Sequence, residues 1–339
     1  MLSTLAQTSD ELKRRWEKPG ATSTAAHSVP QEYAWGMKAW THREYGGPEV
    51  MRLTEAALPA PEPHEVLVRV EAVSINPVDW KIMASHEKAA NFGLALPSGI
   101  ANDIAGTIEE VGSSVTLWKV GDRVMTSARG RALQEYVVID PSSVAVAHIP
   151  EQLDTAEAAC VNIAARTAWD AVEGPARARA GQTLLVHGGS GAVGQFAIQF
   201  ARRHGVRVVA TASASRLGRV RSLGAEAVEY GGDLHEKLQS LAPINAVLDC
   251  ADGEGVRVGI ELGADLHRCI SISVKNAHGA GGVATDLEQT APLQHLIDMV
   301  GAGDVEVEIG ARYPFARARE AYEAAIAGQH KGKIVIEVG

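Results

Sequence analysis

The sequence is poor in cysteine, in positive charge and in long apolar runs. Only three of 339 residues are cysteines, Cys160, Cys250 and Cys269, and no two of them form a C-x-x-C pair, which argues against a disulfide framework and a structural zinc site. The 32 basic and 41 acidic residues give a net charge of -9, which disfavours nucleic-acid and anionic-membrane partners, because phosphate binding needs concentrated positive charge. No apolar run approaches the roughly 20 residues that span a bilayer. We therefore expect a cytoplasmic protein that acts on a small-molecule substrate.

Length and composition predict two domains behind a short extension. A chain of 339 residues with 46% apolar side chains has material for two buried cores. Residues 1–36 read as an N-terminal extension, because Thr8 and Glu11 have capping-box spacing and small residues typical of a linker follow at 21–26. Its acidic residues favour an untargeted extension over a mitochondrial presequence.

The pattern then changes from short strands to alternating strands and helices. Short β-rich segments separated by Gly and Pro predict a barrel-like β domain up to about residue 150, with strands near 66–70, 106–109, 121–125 and 136–139. Beyond residue 153, apolar strands alternate with helices, which predicts a parallel sheet covered on both faces. The predicted strands are 183–187, 206–211, 246–249, 269–274 and 333–338, and the predicted helices are 155–172, 192–203, 216–223 and 316–327.

The strongest motif is a G-x-G-x-x-G turn formed by Gly189, Gly191 and Gly194. It follows an apolar strand and opens a helix, so its glycines permit close approach of a pyrophosphate to the helix N-terminus. The predicted dinucleotide contacts are Gly189, Ser190, Gly191, Ala192, Val193 and Gly194. The alternative is a Gly-rich turn without a ligand.

The choice between NAD and NADP depends on the next strand. An NAD site places a carboxylate about 20 residues beyond the turn, but there is no Asp or Glu between Gly205 and Ala225. Ser213 and Arg216 stand there instead, and their hydroxyl and guanidinium groups suit a 2′-phosphate. This favours NADPH as the cofactor, unless Arg216 belongs to a solvated helix face.

The chain resembles the medium-chain dehydrogenase/reductase superfamily, in particular its zinc-free quinone oxidoreductase (zeta-crystallin-like) and enoyl reductase branch. The resemblance depends on the glycine turn and on Y-G-G-P-E-V at 45–50, E-V-L-V-R-V at 65–70, N-P-V-D-W-K at 76–81, D-I-A-G at 103–106, V-G-D-R-V at 120–124, T-A-W at 167–169 and G-K-I-V at 332–335. It implies an α/β protein with a GroES-like β-barrel catalytic domain (37–159 and 305–339) and a Rossmann NADP-binding domain with a doubly wound parallel sheet (160–304). The active site would lie between them, and the same analogy implies a homodimer.

The resemblance also implies chemistry without a metal. Zinc-dependent relatives carry a cysteine at the position of Asn76 and a His-Glu pair at those of Asn102 and Asp103, and an amide is a poor zinc ligand. The implied reaction is hydride transfer from NADPH to an activated C=C bond of an enone, enoyl or quinone substrate. Two alternatives stay open: a biosynthetic reductase or cyclase acting on a larger carbonyl-bearing intermediate, and an inactive NADPH-binding sensor.

Four residues are candidates for the catalytic site. The family pattern puts Asn76 beside the nicotinamide and replaces a substrate-facing tyrosine by Lys81, whose ammonium would stabilise an enolate or donate a proton. The alternative for Lys81 is a surface lysine. Asn162 and Arg166 occupy positions that are apolar in relatives, and Arg166 needs an anionic partner either in the protein or in the substrate.

The family pattern adds further cofactor contacts. It implies that Thr167 lies near the nicotinamide and Tyr230 near the adenosine phosphate. Cys250 and Ser273 would lie along the cofactor. Cys250 is then either a reactive thiol or, as we favour, a small residue in a tight loop.

Overall fold

The computed structural model describes residues 36–272, 283–284 and 291–339. The predicted extension before Gly36 and the predicted cofactor residue Ser273 lie outside the described residues. The described strands are β1 (Gly36–His42), β2 (Arg52–Ala57), β3 (Val66–Ser74), β4 (Ser98–Gly99), β5 (Asp103–Val111), β6 (Arg123–Ser127), β7 (Tyr136–Ile139), β8 (Val146–His148), β9 (Thr183–His187), β10 (Arg207–Ala212), β11 (Glu226–Glu229), β12 (Ala246–Asp249), β13 (Cys269–Ser271), β14 (Val283–Ala284), β15 (Ile309–Pro314) and β16 (Lys333–Glu337).

Ten α-helices lie in the described ranges, and none of them is long and apolar enough to cross a bilayer. They are α1 (Pro77–Met83), α2 (His86–Asn91), α3 (Thr155–Ala159), α4 (Asn162–Glu173), α5 (Ala192–Arg203), α6 (Leu217–Ser222), α7 (Leu234–Gln239), α8 (Glu254–Glu261), α9 (Leu293–Gly301) and α10 (Ala318–Ile326). Short 3₁₀ turns occupy Pro48–Val50, Ala214–Arg216, Leu266–Arg268 and Phe315–Arg317.

The first part of the chain and its last strands form the mixed-sheet region. A seven-stranded sheet has the order β15-β16-β3-β5-β6-β8, with β7 paired to β3, and a three-stranded sheet has the order β2-β1-β4. Strand β16 pairs antiparallel with β3, so that Val335 lies opposite Ser74. This pairing brings the final strand back to the segment that enters helix α1.

The middle of the chain forms the parallel-sheet region. Its strands run in the order β11-β10-β9-β12-β13-β14, and every neighbouring pair is parallel. Successive side chains of a strand point to opposite faces, and accordingly Leu184 and Val186 of β9 enter one apolar cluster whereas Leu185 enters another. Both faces of this sheet are therefore covered, which confirms the prediction from its uninterrupted apolar strands.

Several predicted boundaries move for local reasons. The predicted strand at 121–125 begins only at Arg123, because Gly121 has a φ of +89° and the Asp122 carboxylate accepts the backbone N–H of Lys119. The single helix predicted at 155–172 is two helices, α3 and α4, separated at residues 160–161. Strands 183–187 and 246–249 and helix 192–203 have their predicted bounds.

Candidate active site

A cavity of about 960 Å³ lies where the two regions meet. The mixed-sheet region contributes helices α1 and α2 and the start of β16, and the parallel-sheet region contributes helix α4, the glycine turn and the loop after β12. Seven of the residues proposed from sequence line it: Asn76, Lys81, Thr167, Gly191, Ala192, Val193 and Cys250. The cavity thus joins the predicted cofactor turn to the predicted catalytic segment.

The glycine turn is tight on one side and open on the other. A Cβ on Gly189 would lie 2.7 Å from the Cβ of Ala210, and one on Gly194 would lie 2.4 Å from the carbonyl oxygen of Gly188. A Cβ on Gly191 would meet only that same oxygen, at 3.4 Å. The first N–H groups of α5 have no partner inside the helix. The open side of the turn can therefore receive a pyrophosphate at a helix N-terminus.

Beyond the turn, the end of β10 carries the groups expected to select the cofactor. The hydroxyls of Ser213 and Ser215 lie 3.4 Å apart, and the Nζ of Lys331 lies 3.5 Å from the carbonyl oxygen of Ser215. Arg216 is paired with Glu308, with 2.9 Å between Nη1 and Oε1 and a second, shorter contact. Burial raises the pKa of Glu308, but the hydrogen bonds from Arg216 and Gln195 and the charges of Arg216 and Arg219 together outweigh this effect and hold it below its usual value. Sequence reasoning missed both Lys331 and the pairing of Arg216.

Two further predicted cofactor residues lie close to the ends of the parallel strands. The Tyr230 ring is half exposed and stands edge-on to the His187 ring, with 6.5 Å between centroids. Cys250 follows β12, and its backbone N–H donates to the carbonyl oxygen of His187. Cys250 is half-buried and lines the cavity. Desolvation raises the pKa of its thiol, which disfavours a nucleophilic thiolate. This supports Cys250 as a small residue in a tight loop, and its role stays a prediction.

His187, Asp249 and Asp252 form a cluster with metal-ligand chemistry at the same strand ends. Their atoms already have protein partners. Asp249 accepts the backbone N–H groups of residues 251, 253 and 255, and His187 Nδ1 lies 2.8 Å from Thr211 Oγ1. This cluster therefore shapes the loop that follows β12 next to the glycine turn.

A buried polar network lies beneath the cavity. Asp103 accepts hydrogen bonds from the side-chain amides of Asn76 and Asn162, each at 2.9 Å. Asp79 accepts the backbone N–H of Asn76 at 2.7 Å, as the N3 residue of a capping box at the start of α1. Its carboxylate also accepts a hydrogen bond from the side-chain amide of Asn102. Both carboxylates are buried. Burial raises the pKa of Asp79 to about 7 and also raises that of Asp103, although their hydrogen bonds oppose the shift.

Lys333 contributes a buried cation to this network. Its Nζ lies 2.6 Å from Asn76 Oδ1 and 3.0 Å from the carbonyl oxygen of Ile75, its side chain is buried, and it lines the cavity. From the sequence, Lys333 was noted only as part of the terminal G-K-I-V motif. A lysine at the start of an apolar strand is the signal that would have singled it out, because a buried ammonium needs partners.

Of the three remaining catalytic candidates, one lines the cavity and two do not. Lys81 lines the cavity, and burial and the nearby charge of Lys88 lower the pKa of its ammonium. Asn162 and Arg166 are outside the lining. Arg166 Nη1 lies 3.4 Å from Asn162 Oδ1, and its buried Nε has no hydrogen-bond partner in the described structure. Burial lowers the pKa of Arg166, and the charges of Asp170 and Asp103 oppose this shift only in part. Its anionic partner, in the protein or in the substrate, stays a prediction.

Both regions of the chain are similar to known proteins. Residues 62–151 match the alcohol dehydrogenase GroES-like domain family, and residues 223–336 match the zinc-binding dehydrogenase family. A chloroplast envelope quinone oxidoreductase homolog of Arabidopsis thaliana is 30% identical over 326 residues, which cover 89% of this chain and 98% of the relative. A mitochondrial NAD(P)H oxidoreductase of Danio rerio is 29% identical over 356 residues, which cover 89% of this chain and 91% of the relative.

A solved structure shows the same likeness. The quinone oxidoreductase of Coxiella burnetii superimposes with a TM-score of 0.77 at 28% identity, covering 90% of this chain and 100% of that protein. The similarity therefore spans both regions and the cavity between them.

Proposed function

The chain belongs to the medium-chain dehydrogenase/reductase superfamily and is an oxidoreductase that uses a nicotinamide cofactor, and from this premise we propose that it is a zinc-independent, NADPH-dependent reductase of activated C=C bonds in enone, enoyl or quinone substrates. One observation carries the proposal. The cavity is lined by Gly191 of the glycine turn and also by Lys81 and Lys333. A dinucleotide held at the turn and an ammonium group for a carbonyl oxygen would thus meet in one cavity, as the reduction of an alkene conjugated to a carbonyl group requires.

The preference for NADPH is supported by the polar groups at the end of β10. The C-terminal end of β10 is followed or approached by two hydroxyl groups, of Ser213 and Ser215, and by two cations, Arg216 and Lys331. Hydroxyl and cationic groups bind phosphate through charge-assisted hydrogen bonds. Glu308 holds the Arg216 guanidinium in place, and a bound 2′-phosphate would compete with that carboxylate for the same N–H groups.

Zinc independence is supported by the bonding of Asn76. Its Nδ2 donates to Asp103 and its Oδ1 accepts from the Lys333 ammonium. Both polar atoms of the amide are therefore engaged, and the cation beside it is a side chain of the protein. A zinc ion would have to displace that ammonium, and the amide that it would then contact is a poor zinc ligand.

The residues of the cavity supply what the reduction needs besides the hydride. NADPH, when bound, supplies the hydride that adds to the β-carbon, which puts negative charge on the carbonyl oxygen and calls for one proton at the α-carbon. Lys81 holds a proton at its Nζ, and its lowered pKa makes it a better donor near neutral pH. Trp80, Phe92 and Ile163 give the cavity apolar walls, which strengthen electrostatic interactions by excluding water.

The test is a turnover assay with purified protein. NADPH consumption is followed by absorbance with a panel of enones, enoyl thioesters and quinones, and the products are examined by mass spectrometry with NADPH deuterated at the transferred position. We expect oxidation with at least one class and one deuterium on carbon in the enone or enoyl product. Tight NADPH binding without turnover would instead favour the sensor, and conversion of a substrate without NADPH would favour a cyclase.

A further inference from the structure

The buried lysine of β16 has one N–H group to spare. A lysine ammonium carries three donors, and Lys333 gives two of them to Asn76 Oδ1 and the carbonyl oxygen of Ile75. Among the described residues no third acceptor contacts its Nζ. Only 6% of the residue is exposed, yet it lines the cavity. A buried donor without a partner is costly, so the third N–H is expected to meet a ligand atom or water in the cavity.

The surroundings of Lys333 fix the direction of that ammonium. Asn76 Nδ2 donates to Asp103 and to the carbonyl oxygen of Ser74, so its amide cannot flip without placing an oxygen against acceptors. Asn76 Oδ1 must therefore face Lys333. The amide of Asn162 holds the other oxygen of Asp103, which anchors the whole chain of bonds to helix α4.

Lys333 is not simply the ion-pair partner of the buried carboxylates. In the described structure it forms no ion pair with Asp79 or Asp103, whose oxygens are instead bonded by amide groups. Its charge lowers the pKa of both carboxyls at longer range, against the larger effect of burial. The ammonium therefore keeps one N–H without a partner among the described residues, on a residue that lines the cavity.

We propose that Lys333 is the oxyanion-binding residue of this site, which donates its third N–H to the substrate carbonyl oxygen while Asn76 and Asp103 position it. The inference rests on the proposed function, since an oxygen gains charge there only when hydride adds to a conjugated carbon. A preorganised donor stabilises such a charge strongly. Lys81, which also lines the cavity, then remains free to deliver the proton.

Two independent readouts test the assignment. The first is steady-state kinetics with the best acceptor of the panel. The second is binding of para-nitrophenol, with and without NADP⁺, because its anion mimics an enolate oxygen and its colour reports ionisation. The variants are Lys333→Met, Lys333→Arg and the charge-balanced double variant Lys333→Met/Asp103→Asn, with Lys38→Met as the control at an exposed lysine of β1. Thermal unfolding checks that each variant folds.

We expect Lys333→Met to lower kcat by about 100- to 1,000-fold, the usual effect of losing one oxyanion donor, with a smaller change in KM. The wild type should bind para-nitrophenol as the anion and lower its pKa, whereas Lys333→Met should bind it about tenfold or more weakly and in the neutral form. Lys333→Arg should recover part of both signals. The double variant should regain stability without regaining turnover or phenolate binding, and Lys38→Met should match the wild type.

The opposite results overturn the assignment. A double variant with wild-type kcat would show that Lys333 only balances the charge of Asp103, and a Lys333→Met protein with unchanged phenolate affinity would remove the oxyanion site. In a third outcome, the wild type binds phenolate through Lys333 and yet fails to oxidise NADPH with any acceptor of the panel. That result would refute the proposed reaction but not the oxyanion site.

Discussion

Replacing Gly194 by alanine should damage both the stability of the glycine turn and its affinity for NADPH. The added Cβ would lie 2.4 Å from the carbonyl oxygen of Gly188 and 2.7 Å from the Cα of Gly189. These are backbone atoms, so no side-chain rotation can relieve the overlap, and the turn must open. Gly218 offers a matched control in helix α6, because a Cβ there meets no described atom within 4 Å.

The magnitudes follow from two opposing effects. Gly→Ala inside a helix stabilises by about 0.5–1 kcal/mol, whereas overpacking costs about 1–3 kcal/mol. Gly218→Ala should therefore gain about 0.5–1 kcal/mol. Gly194→Ala should lose about 1–2 kcal/mol and bind NADPH at least about tenfold more weakly, since roughly 1.4 kcal/mol of lost phosphate contacts corresponds to a factor of ten.

The assay pairs chemical denaturation with a fluorescence titration of NADPH for both variants. The reasoning is refuted if Gly194→Ala keeps wild-type stability and NADPH affinity, or if Gly218→Ala loses affinity to the same extent. A loss of stability without a loss of affinity would place the phosphate-binding groups elsewhere than in this turn.

Three further outcomes are expected. Arg216→Ala should reduce the preference for NADPH over NADH, measured as the ratio of kcat/KM values, by at least about tenfold. The control Arg221→Ala, on the exposed side of α6, should leave this preference unchanged. Equal preferences in the two variants would exclude Arg216 from cofactor selection. Lys81→Met should lower kcat by about 100-fold or more, and kcat should no longer fall at high pH as it does when the proton donor is lost. If kcat of the variant still falls at high pH, another group donates the proton. Asp79 has a pKa raised to about 7 by burial, so folding favours its protonated form and its contribution to stability is lost as pH rises from its unfolded value near 4 through 7. Asp79→Asn should therefore gain stability relative to the wild type between about pH 5 and pH 8 in denaturant titrations, and a constant difference would contradict the shift.

The parallel-sheet region could be predicted because its signals are local. An apolar strand, a run of glycines and a helix follow one another within about 20 residues, and each constrains the backbone where it stands. The strands of the mixed-sheet region are shorter, so their ends depend on turns such as the one closed by Asp122 and Lys119. Their bounds are accordingly predicted less well.

The candidate site was predicted only in part, because some of its residues bind partners that are distant in sequence. Asn76 was singled out by its motif, but its partner Lys333 lies 257 positions away, and no pattern near either residue indicates the contact. NADPH was favoured because no Asp or Glu lies between Gly205 and Ala225, yet Glu308 pairs with Arg216 from 92 positions away. Local charge counting therefore misses what tertiary folding supplies. The roles of Asn162, Arg166 and Thr167 stay predictions.

The return of β16 to β3 has a consequence for how the cavity is assembled. The glycine turn and its sheet precede residue 333 in the chain, so the cavity gains its buried lysine only after β16 has paired with β3. The same pairing that joins the two strands therefore also brings Asn76 its ammonium partner. A substitution that loosens the pairing of Val335 with Ser74 would disturb the sheet and the polar network together.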